Sequence, residues 1–410
     1  MGYQQILHLI WNQAGQTCNM IDLIFGLLII FIPIFKLSWY GNWFARYPQY
    51  WMWVSGLILL LALSQKNIWL KLFIIYCLAV SIWHDFVIGN VFSQNGQKII
   101  VRDFNINRSL FILITICGSA WLIWRVQKLN IKWINISILY SSYIFCYFWI
   151  FNDFKNAFGV KENPWIAGAF LAFAIPYCLN MSGNRILNYS ASFILLIGVV
   201  LTKSTMAIMA AYSGILFYFI SEKMVKTIIS FSLITLIMAW LFLPFIYAGI
   251  FTKQNTFNKK IWLSIIDSLT NASYREDIWF KSFHFTKEEN RKPTQLRTID
   301  EIIIGTGLRT YAGYGFLEGS NTLTTHAHNE FLEIFCELGC IGLLIVLGFI
   351  FSLYSVNCPS VYKASLTAII VHSLGYYPLR LAPTGLIAII TIGMILKYQN
   401  INGGIEHVQV

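Results

Sequence analysis

Apolar residues in this chain are grouped into long runs separated by polar connections. We place twelve runs of about 15 to 24 residues, compared with the ~20 that a helix needs to cross a bilayer. They lie at residues 20–37, 47–64, 68–88, 110–124, 133–151, 164–181, 187–201, 206–220, 227–250, 331–354, 361–374 and 383–396. The shorter runs must be extended by flanking aromatic residues or lie tilted in the bundle. The pattern predicts an all-α polytopic membrane protein with about twelve transmembrane helices.

One connection is much longer than the others. It covers roughly 80 residues, 251–329, and loops of that length in a compact bundle are usually functional or disordered. Segments 261–269 and 274–285 have apolar residues at helical spacing, a charged turn follows at 287–292, and an apolar run ends in the sequence Gly305-Thr306-Gly307. We therefore expect a single functional unit in three parts: helices 1–9 in residues 1–250, a partly helical loop domain in 251–329, and helices 10–12 in 330–410.

The composition agrees with a membrane protein. Hydrophobic residues make up 57% of the chain and charged residues only 11%, whereas soluble domains have about 25% charged residues. The first apolar run follows a polar, uncharged start, so we expect it to be a retained span and not a cleaved signal.

The net charge of +11 lies mostly outside the long loop, which has ten basic and eight acidic residues. Basic residues elsewhere divide almost evenly between the two sides of the predicted topology, so they do not favour either orientation. Cations on the outer side could bind an anionic ligand such as a phosphate, or they could contact lipid headgroups.

A short polar motif stands where the long loop meets the tenth apolar run. It reads His326-Ala327-His328-Asn329-Glu330. Histidine is the side chain best suited to proton transfer near neutral pH, and an ionisable group at the mouth of a membrane span is costly to keep without a use.

The carboxylates that follow the motif lie on or near one helical face, at positions Glu330, Glu333 and Glu337. They could pair with basic loop residues, or Glu330 could join His326 and His328 in a metal site. No second cluster of metal ligands accompanies them, and the eight cysteines show neither CxxC pairs nor metal spacing. We therefore expect no metal and no other cofactor.

The motif resembles the signature of a known family. His328-Asn329, nine residues, Gly339, two residues and Gly342 are similar to the pattern of the bacterial O-antigen ligase and O-antigen polymerase superfamily, which also includes protein O-oligosaccharyltransferases. In this family about twelve spans surround a large periplasmic loop between the ninth and tenth.

The resemblance extends upstream into the loop and covers roughly residues 201–354. Arg275, three residues and Trp279 resemble the Arg-x-x-x-Trp of the family, and Gly305 and Gly307 resemble its Gly-x-Gly turn. The order of loop, arginine, glycines and His-Asn is more specific than any one of these features.

The resemblance implies a glycosyltransferase of the bacterial inner (cytoplasmic) membrane whose active site faces the periplasm. The donor would be an undecaprenyl-diphosphate-linked glycan, and the acceptor a sugar hydroxyl of lipid A-core. The resemblance implies that His328 is the general base, Asn329 orients the histidine or a sugar, and Arg275 binds the diphosphate. Gly339 and Gly342 would let the tenth helix pack closely against a neighbour.

The chain departs from the family at one cationic position. The family usually has an arginine near the start of the eighth span, where this chain has Thr205. Lys203 could supply that charge, although a lysine does not reproduce the bidentate geometry of an arginine. Arg309, Arg380 or Arg102 could serve instead, or the donor could be divergent or the activity impaired.

Three functions are compatible with these observations. An O-antigen ligase involved in lipopolysaccharide biosynthesis is the leading one. A polymerase that joins lipid-linked repeat units uses the same donor and differs only in its acceptor. A lipid or solute transporter is the non-enzyme alternative, but it would predict inverted repeats with broken helices, which the sequence does not display. Membrane lipid is an expected partner in each case, and nucleic acid is not.

Overall fold

The computed structural model describes residues 67–86, 122–123, 125–127, 131–151, 164–181, 184–202, 204–224, 284–285, 295–296, 299–305, 327–380 and 382–405. Residues 122–123 and 125–127 are helical. The helices whose bounds are defined are α1 (Ile68–Phe86), α2 (Ile131–Phe151), α3 (Pro164–Leu179), α4 (Arg185–Leu201), α5 (Thr205–Ser221), α6 (Ile299–Ile303), α7 (Glu330–Ser355), α8 (Ser360–Ser373) and α9 (Ala382–Ile405). A 3₁₀ turn, Pro378–Arg380, separates α8 from α9. The predicted spans at 20–37, 47–64 and 227–250, and most of 110–124, lie outside the described residues.

The helical prediction is confirmed for the part of the chain that the structure describes, with one exception in the long loop. Two-residue strands, β1 (His284–Phe285) and β2 (Gln295–Leu296), pair antiparallel with His284 opposite Leu296. The interpretation of 274–285 as helical is therefore wrong at its last two residues, because cross-strand pairing requires an extended backbone there. The remainder of that segment lies outside the described residues.

Helix α3 is the centre of the bundle. It packs against α2, α4, α5, α8 and α9. Side chains from Ala167 to Cys178 are almost all buried, including Phe170, Phe173 and Tyr177. A helix that is apolar all round is expected to be enclosed by its neighbours, and the run at 164–181 has this composition.

Pro176 interrupts the backbone bonding of α3, and a polar cluster surrounds the interruption. The Ser365 hydroxyl donates to Phe173 O at 2.8 Å, and Tyr177 and Thr391 share a 2.8 Å hydrogen bond. These bonds join α3 to α8 and α9, which is the role that hydroxyl side chains commonly play between membrane helices.

Helix α4 is apolar on its outer face as well as on its inner face. Its inner side packs Leu195 and Val199 into the core, while Phe193 and Ile194 are exposed and Ile186 is 77% exposed. Large exposed apolar faces are rare in soluble monomers and are expected where lipid replaces water. The predicted run at 187–201 therefore has the burial pattern of a lipid-facing helix.

Length and hydropathy support the same conclusion. Among the described residues, α7 is the one helix that is both long enough and apolar enough to cross a membrane. Shorter apolar helical segments occur at Ile68–Cys77, Ile134–Ile144, Trp165–Leu179, Arg185–Leu201 and Thr205–Ser221. The described residues thus form a helical bundle that includes a membrane-span-like helix.

Candidate functional site

The His-Asn motif forms the start of a helix, because Asn329 is the N-cap of α7. Its side-chain oxygen accepts a hydrogen bond from Leu332 N at 3.1 Å, and its backbone is extended. Asparagine is among the best N-cap residues because its oxygen satisfies a backbone N–H that the helix leaves unpaired. Glu333 strengthens this end by accepting a 3.2 Å hydrogen bond from Ala327 N. The chain is therefore fixed on both sides of His328.

His328 has an unusual backbone conformation, with φ of 52°. Positive φ is uncommon outside glycine, although histidine, asparagine and aspartate adopt it more readily than other residues. The turn points the half-buried imidazole toward two aromatic rings, with centroid distances of 5.7 Å to Tyr376 and 5.3 Å to Tyr377. The rotation of the histidine is thus restricted by the backbone and by ring packing.

The two tyrosines form a stacked pair next to the histidine. Their ring centroids are 4.4 Å apart and their planes differ by 18°. Tyr376 is 1% exposed and packs edge-on against Trp165 and His372, and its carbonyl accepts a 3.1 Å hydrogen bond from Glu330 N. The turn after α8 is therefore bound directly to the first turn of α7.

His372 lies behind this pair. It is fully buried, and its ring packs edge-on against Phe173 as well as Tyr376. The aromatic contacts therefore continue from His328 through Tyr376 to the core helix α3.

The three carboxylates of α7 are buried. Glu330, Glu333 and Glu337 have 4%, 1% and 0% exposure, as expected for positions three and four residues apart that face the protein interior.

The phenol of Tyr377 has a raised pKa. Burial is the main cause, and the nearby Glu333 carboxylate raises the pKa further, while a hydrogen bond from Tyr376 acts in the opposite direction. Tyr377 is therefore a neutral phenol at physiological pH.

Gly339 produces a kink in α7. Its φ of 66° and ψ of −170° are not helical, and the backbone of Gly305 lies against it. A Cβ on Gly339 would collide with the Ile303 carbonyl and lie 2.6 Å from Gly305 N. Gly305 also has a positive φ, 88°, and a Cβ there would lie 2.5 Å from Gly339 N. The two glycines thus meet backbone to backbone.

Tyr76 of α1 supports this glycine contact. Its hydroxyl lies 2.9 Å from Leu338 O and 3.2 Å from Ile304 O, so its one proton is shared between these two carbonyls. Gly342 lies beside the same ring, because a Cβ there would be 3.2 Å from Tyr76 Cε1. The expectation that Gly339 and Gly342 permit close packing of the tenth helix is consistent with this geometry, and the neighbours are the Gly305 turn and α1.

The proposed cationic positions are described only in part. Lys203, Arg275, Arg309 and Arg102 lie outside the described residues, as do Gly307 and His326, and Arg380 is described by its backbone in the 3₁₀ turn. Thr205, at the family's arginine position, is the first residue of α5, whose N-cap is Ser204. Among the described residues, no three His, Cys, Asp or Glu side chains are grouped as metal ligands would be.

The turn between α4 and α5 lies at the same end of the bundle as His328. Met206 packs on Gly375, where a Cβ would be 2.5 Å from the Met206 sulfur, and Gly375 immediately precedes Tyr376. Lys203 is three residues before Met206. The first turn of α5 therefore packs against the turn after α8, which contains Tyr376 and Tyr377 beside His328.

Several residues of this site have no distinctive signal in the sequence. Tyr76, Tyr376, Tyr377 and Trp165 are four of the many aromatic residues in a chain that is 17% aromatic. Their abundance fits membrane-interface belts as well as a binding site, so composition does not single them out.

Part of the sequence matches a known protein family. Residues 190–347 match a family model described as O-antigen ligase. The match runs from α4 into α7 and includes Gly305, His328, Asn329, Gly339 and Gly342. No curated protein matches the sequence significantly. The resemblance to the bacterial O-antigen ligase and polymerase superfamily is thereby confirmed over residues 190–347, the part of the chain that this family model matches.

Proposed function

We propose that the protein is an O-antigen ligase of the bacterial inner membrane. It transfers a glycan from undecaprenyl diphosphate to a sugar hydroxyl of lipid A-core, at the periplasmic face. The observation that carries the proposal is the position of His328, a half-buried imidazole at the capped start of a membrane-span-like helix, within the O-antigen ligase domain.

The proposed reaction is a displacement at the anomeric carbon of the donor. The acceptor oxygen forms a bond to that carbon while the carbon–oxygen bond to the diphosphate breaks. Neutral His328 takes the acceptor proton, because a hydroxyl is a weak nucleophile until a positioned base removes its proton. Asn329 orients the histidine or the sugar, and its capping bond uses the amide oxygen but not the NH₂ donors.

Cations stabilise the diphosphate as it leaves. Arg275 is the leading ligand, with Lys203, Arg309 and Arg380 as further candidates. Fixed positive charge acts where negative charge develops, so this step needs no metal. Packing of Met206 on Gly375 supports Lys203 and Arg380 as candidates, because Met206 is three residues after Lys203 in the sequence and Gly375 is five residues before Arg380.

The test is the surface polysaccharide of a strain lacking the gene, complemented with the wild-type protein or with His328→Asn. Asparagine is the sharper replacement because it tolerates positive φ and cannot act as a base of similar strength. A ligase predicts long glycan on undecaprenyl diphosphate and bare lipid A-core in both the deletion and the His328→Asn strain. Lipid A-core that carries the normal amount of glycan in the His328→Asn strain would refute the role of the histidine.

The same experiment tests the alternative function. The family match supports a polymerase as well as a ligase, because both use a lipid-linked donor. A polymerase predicts that single repeat units still reach lipid A-core while long chains disappear. That outcome would leave His328 as the proposed base, but the acceptor would be a lipid-linked repeat unit and not lipid A-core.

A further inference from the structure

Tyr377 lies directly beside His328, the proposed base. Its ring centroid is 5.3 Å from that of His328, and the phenol ring is only half-buried. The two rings are in edge-to-face contact, so a sugar whose hydroxyl reaches the imidazole would extend over or beside the accessible part of the tyrosine ring. Aromatic faces bind the apolar C–H faces of sugars in the way that they pack other apolar groups.

The support behind Tyr377 makes it a rigid surface. Tyr376 stacks on it at 4.4 Å and is itself held by Trp165, His372 and the hydrogen bond from Glu330 N. Rigid aromatic residues bind with little loss of conformational freedom, because few rotatable bonds have to be fixed. Tyr377 is thus a half-buried ring beside the base, supported from behind by the almost fully buried Tyr376.

Charge distinguishes the two substrates that could lie on this surface. The buried Glu333 carboxylate is close enough to Tyr377 to interact with it electrostatically, and an anionic diphosphate at this ring would be repelled by the carboxylate. A neutral sugar would not be repelled, and a carboxylate near its hydroxyls is compatible with hydrogen bonding. The environment of Tyr377 therefore favours the acceptor sugar over the diphosphate of the donor.

We propose that Tyr377, stacked on Tyr376, is the platform that binds the acceptor sugar and presents its hydroxyl to His328. This inference rests on the proposed glycosyl transfer and adds a residue that determines how the acceptor is bound. The platform acts in the same way whether the acceptor is lipid A-core or a lipid-linked repeat, since only the sugar contacts it.

The experiment measures initial rates of the purified full-length protein in nanodiscs, with donor glycolipid and lipid A-core varied separately. Tyr377→Ala removes the ring, and a contact of this kind contributes enough to raise the acceptor KM about five- to tenfold. The donor KM should change less than about twofold, since the diphosphate site is elsewhere. Tyr377→Phe should retain the wild-type acceptor KM, because it keeps the ring and loses only the hydroxyl.

Two further variants keep the test informative. Tyr377→Leu retains apolar volume without a flat ring and should also raise the acceptor KM, even if Tyr377→Ala folds poorly. Tyr140→Ala removes a tyrosine that is 46% exposed on α2 and should leave both KM values unchanged. An unchanged acceptor KM in folded Tyr377→Leu would overturn the platform, and an equal rise in the donor KM alone would assign the ring to the donor.

His328→Asn separates this proposal from the function on which it rests. Loss of transfer in His328→Asn together with a normal acceptor KM in Tyr377→Ala and Tyr377→Leu would retain the enzyme and overturn the platform. Full transfer in His328→Asn would overturn the proposed mechanism itself.

Discussion

Replacing Gly339 with alanine tests the contact between the long loop and the helix that carries His328. The added Cβ would point at the Ile303 carbonyl and the Gly305 nitrogen, which are backbone atoms and cannot rotate away. The φ of 66° with ψ of −170° adds a second cost, because that region is essentially restricted to glycine.

The two costs can be estimated separately. Holding alanine in a glycine-only conformation costs about 1–3 kcal/mol. Forcing a methyl group into a closely packed contact costs about 1–3 kcal/mol more. We therefore expect Gly339→Ala to lower the free energy of unfolding by about 4 kcal/mol, or to separate the Gly305 turn from α7 and misplace His328.

The assay is reversible unfolding in mixed micelles, together with the rate of glycan transfer per folded molecule. Gly214→Ala is the matched control, because Gly214 lies in α5 away from this contact, and an added Cβ there would have Ala364 O as its nearest neighbour, at 3.0 Å. The control should change stability by no more than about 1–2 kcal/mol and leave transfer per folded molecule unchanged. A Gly339→Ala protein with wild-type transfer and a loss below about 1 kcal/mol would refute the reasoning.

Other variants test the remaining parts of the site. His328→Asn should keep the fold and reduce the transfer rate by at least about 100-fold, whereas a rate above about a tenth of wild type in the same assay would exclude a general base. Asn329→Ala should lower the free energy of unfolding by about 1 kcal/mol through loss of the cap, while Asn329→Ser should keep the wild-type stability. Loss of transfer in both variants would show that the amide NH₂ is needed to orient the histidine or the sugar, and normal transfer in Asn329→Ser would exclude that role. Tyr76→Phe should lower the free energy of unfolding by about 1 kcal/mol, because it removes a hydrogen bond, and it should lower kcat without raising the acceptor KM. Unchanged stability would show that the Tyr76 hydroxyl does not support the kink at Gly339. Because its pKa is raised, the Tyr377 phenol keeps its proton as the pH increases. Tyr377→Phe should therefore leave the alkaline limb of the pH–rate profile, between about pH 8 and 10, unchanged. A shifted alkaline limb would contradict a neutral phenol.

Helix positions in the described part of the chain are predictable because apolar runs and caps coincide. The runs at 187–201 and 206–220 become Arg185–Leu201 and Thr205–Ser221, each preceded by an N-cap residue, Asn184 and Ser204. The length of an apolar run sets the length of the helix, and a polar cap sets its start. His284–Phe285 does not follow this rule, because a two-residue ladder depends on a partner that periodicity does not reveal.

The candidate site is predictable where a residue type is rare and not where it is common. His328 and Asn329 stand out because polar groups at the start of an apolar run are unusual. Gly339 indicates close packing, but local sequence does not identify Gly305 as its partner, since that contact is made across the fold. Tyr376 and Tyr377 are recognisable only after α8 and α7 are seen to be joined by the hydrogen bond from Glu330 N to Tyr376 O.

The kink at Gly339 divides α7 into a long segment after the kink and a short first segment that begins at Glu330. Nine residues at 1.5 Å each separate Glu330 from Gly339, so a rotation of about 10° at the kink would move the start of the helix by roughly 2 Å. A misplacement of about 1 Å can cost a hundredfold in rate when reacting groups must be aligned. The position of His328 therefore depends on the rigidity of the kink at Gly339, about 14 Å away, where Tyr76 and the Gly305 turn contact the helix.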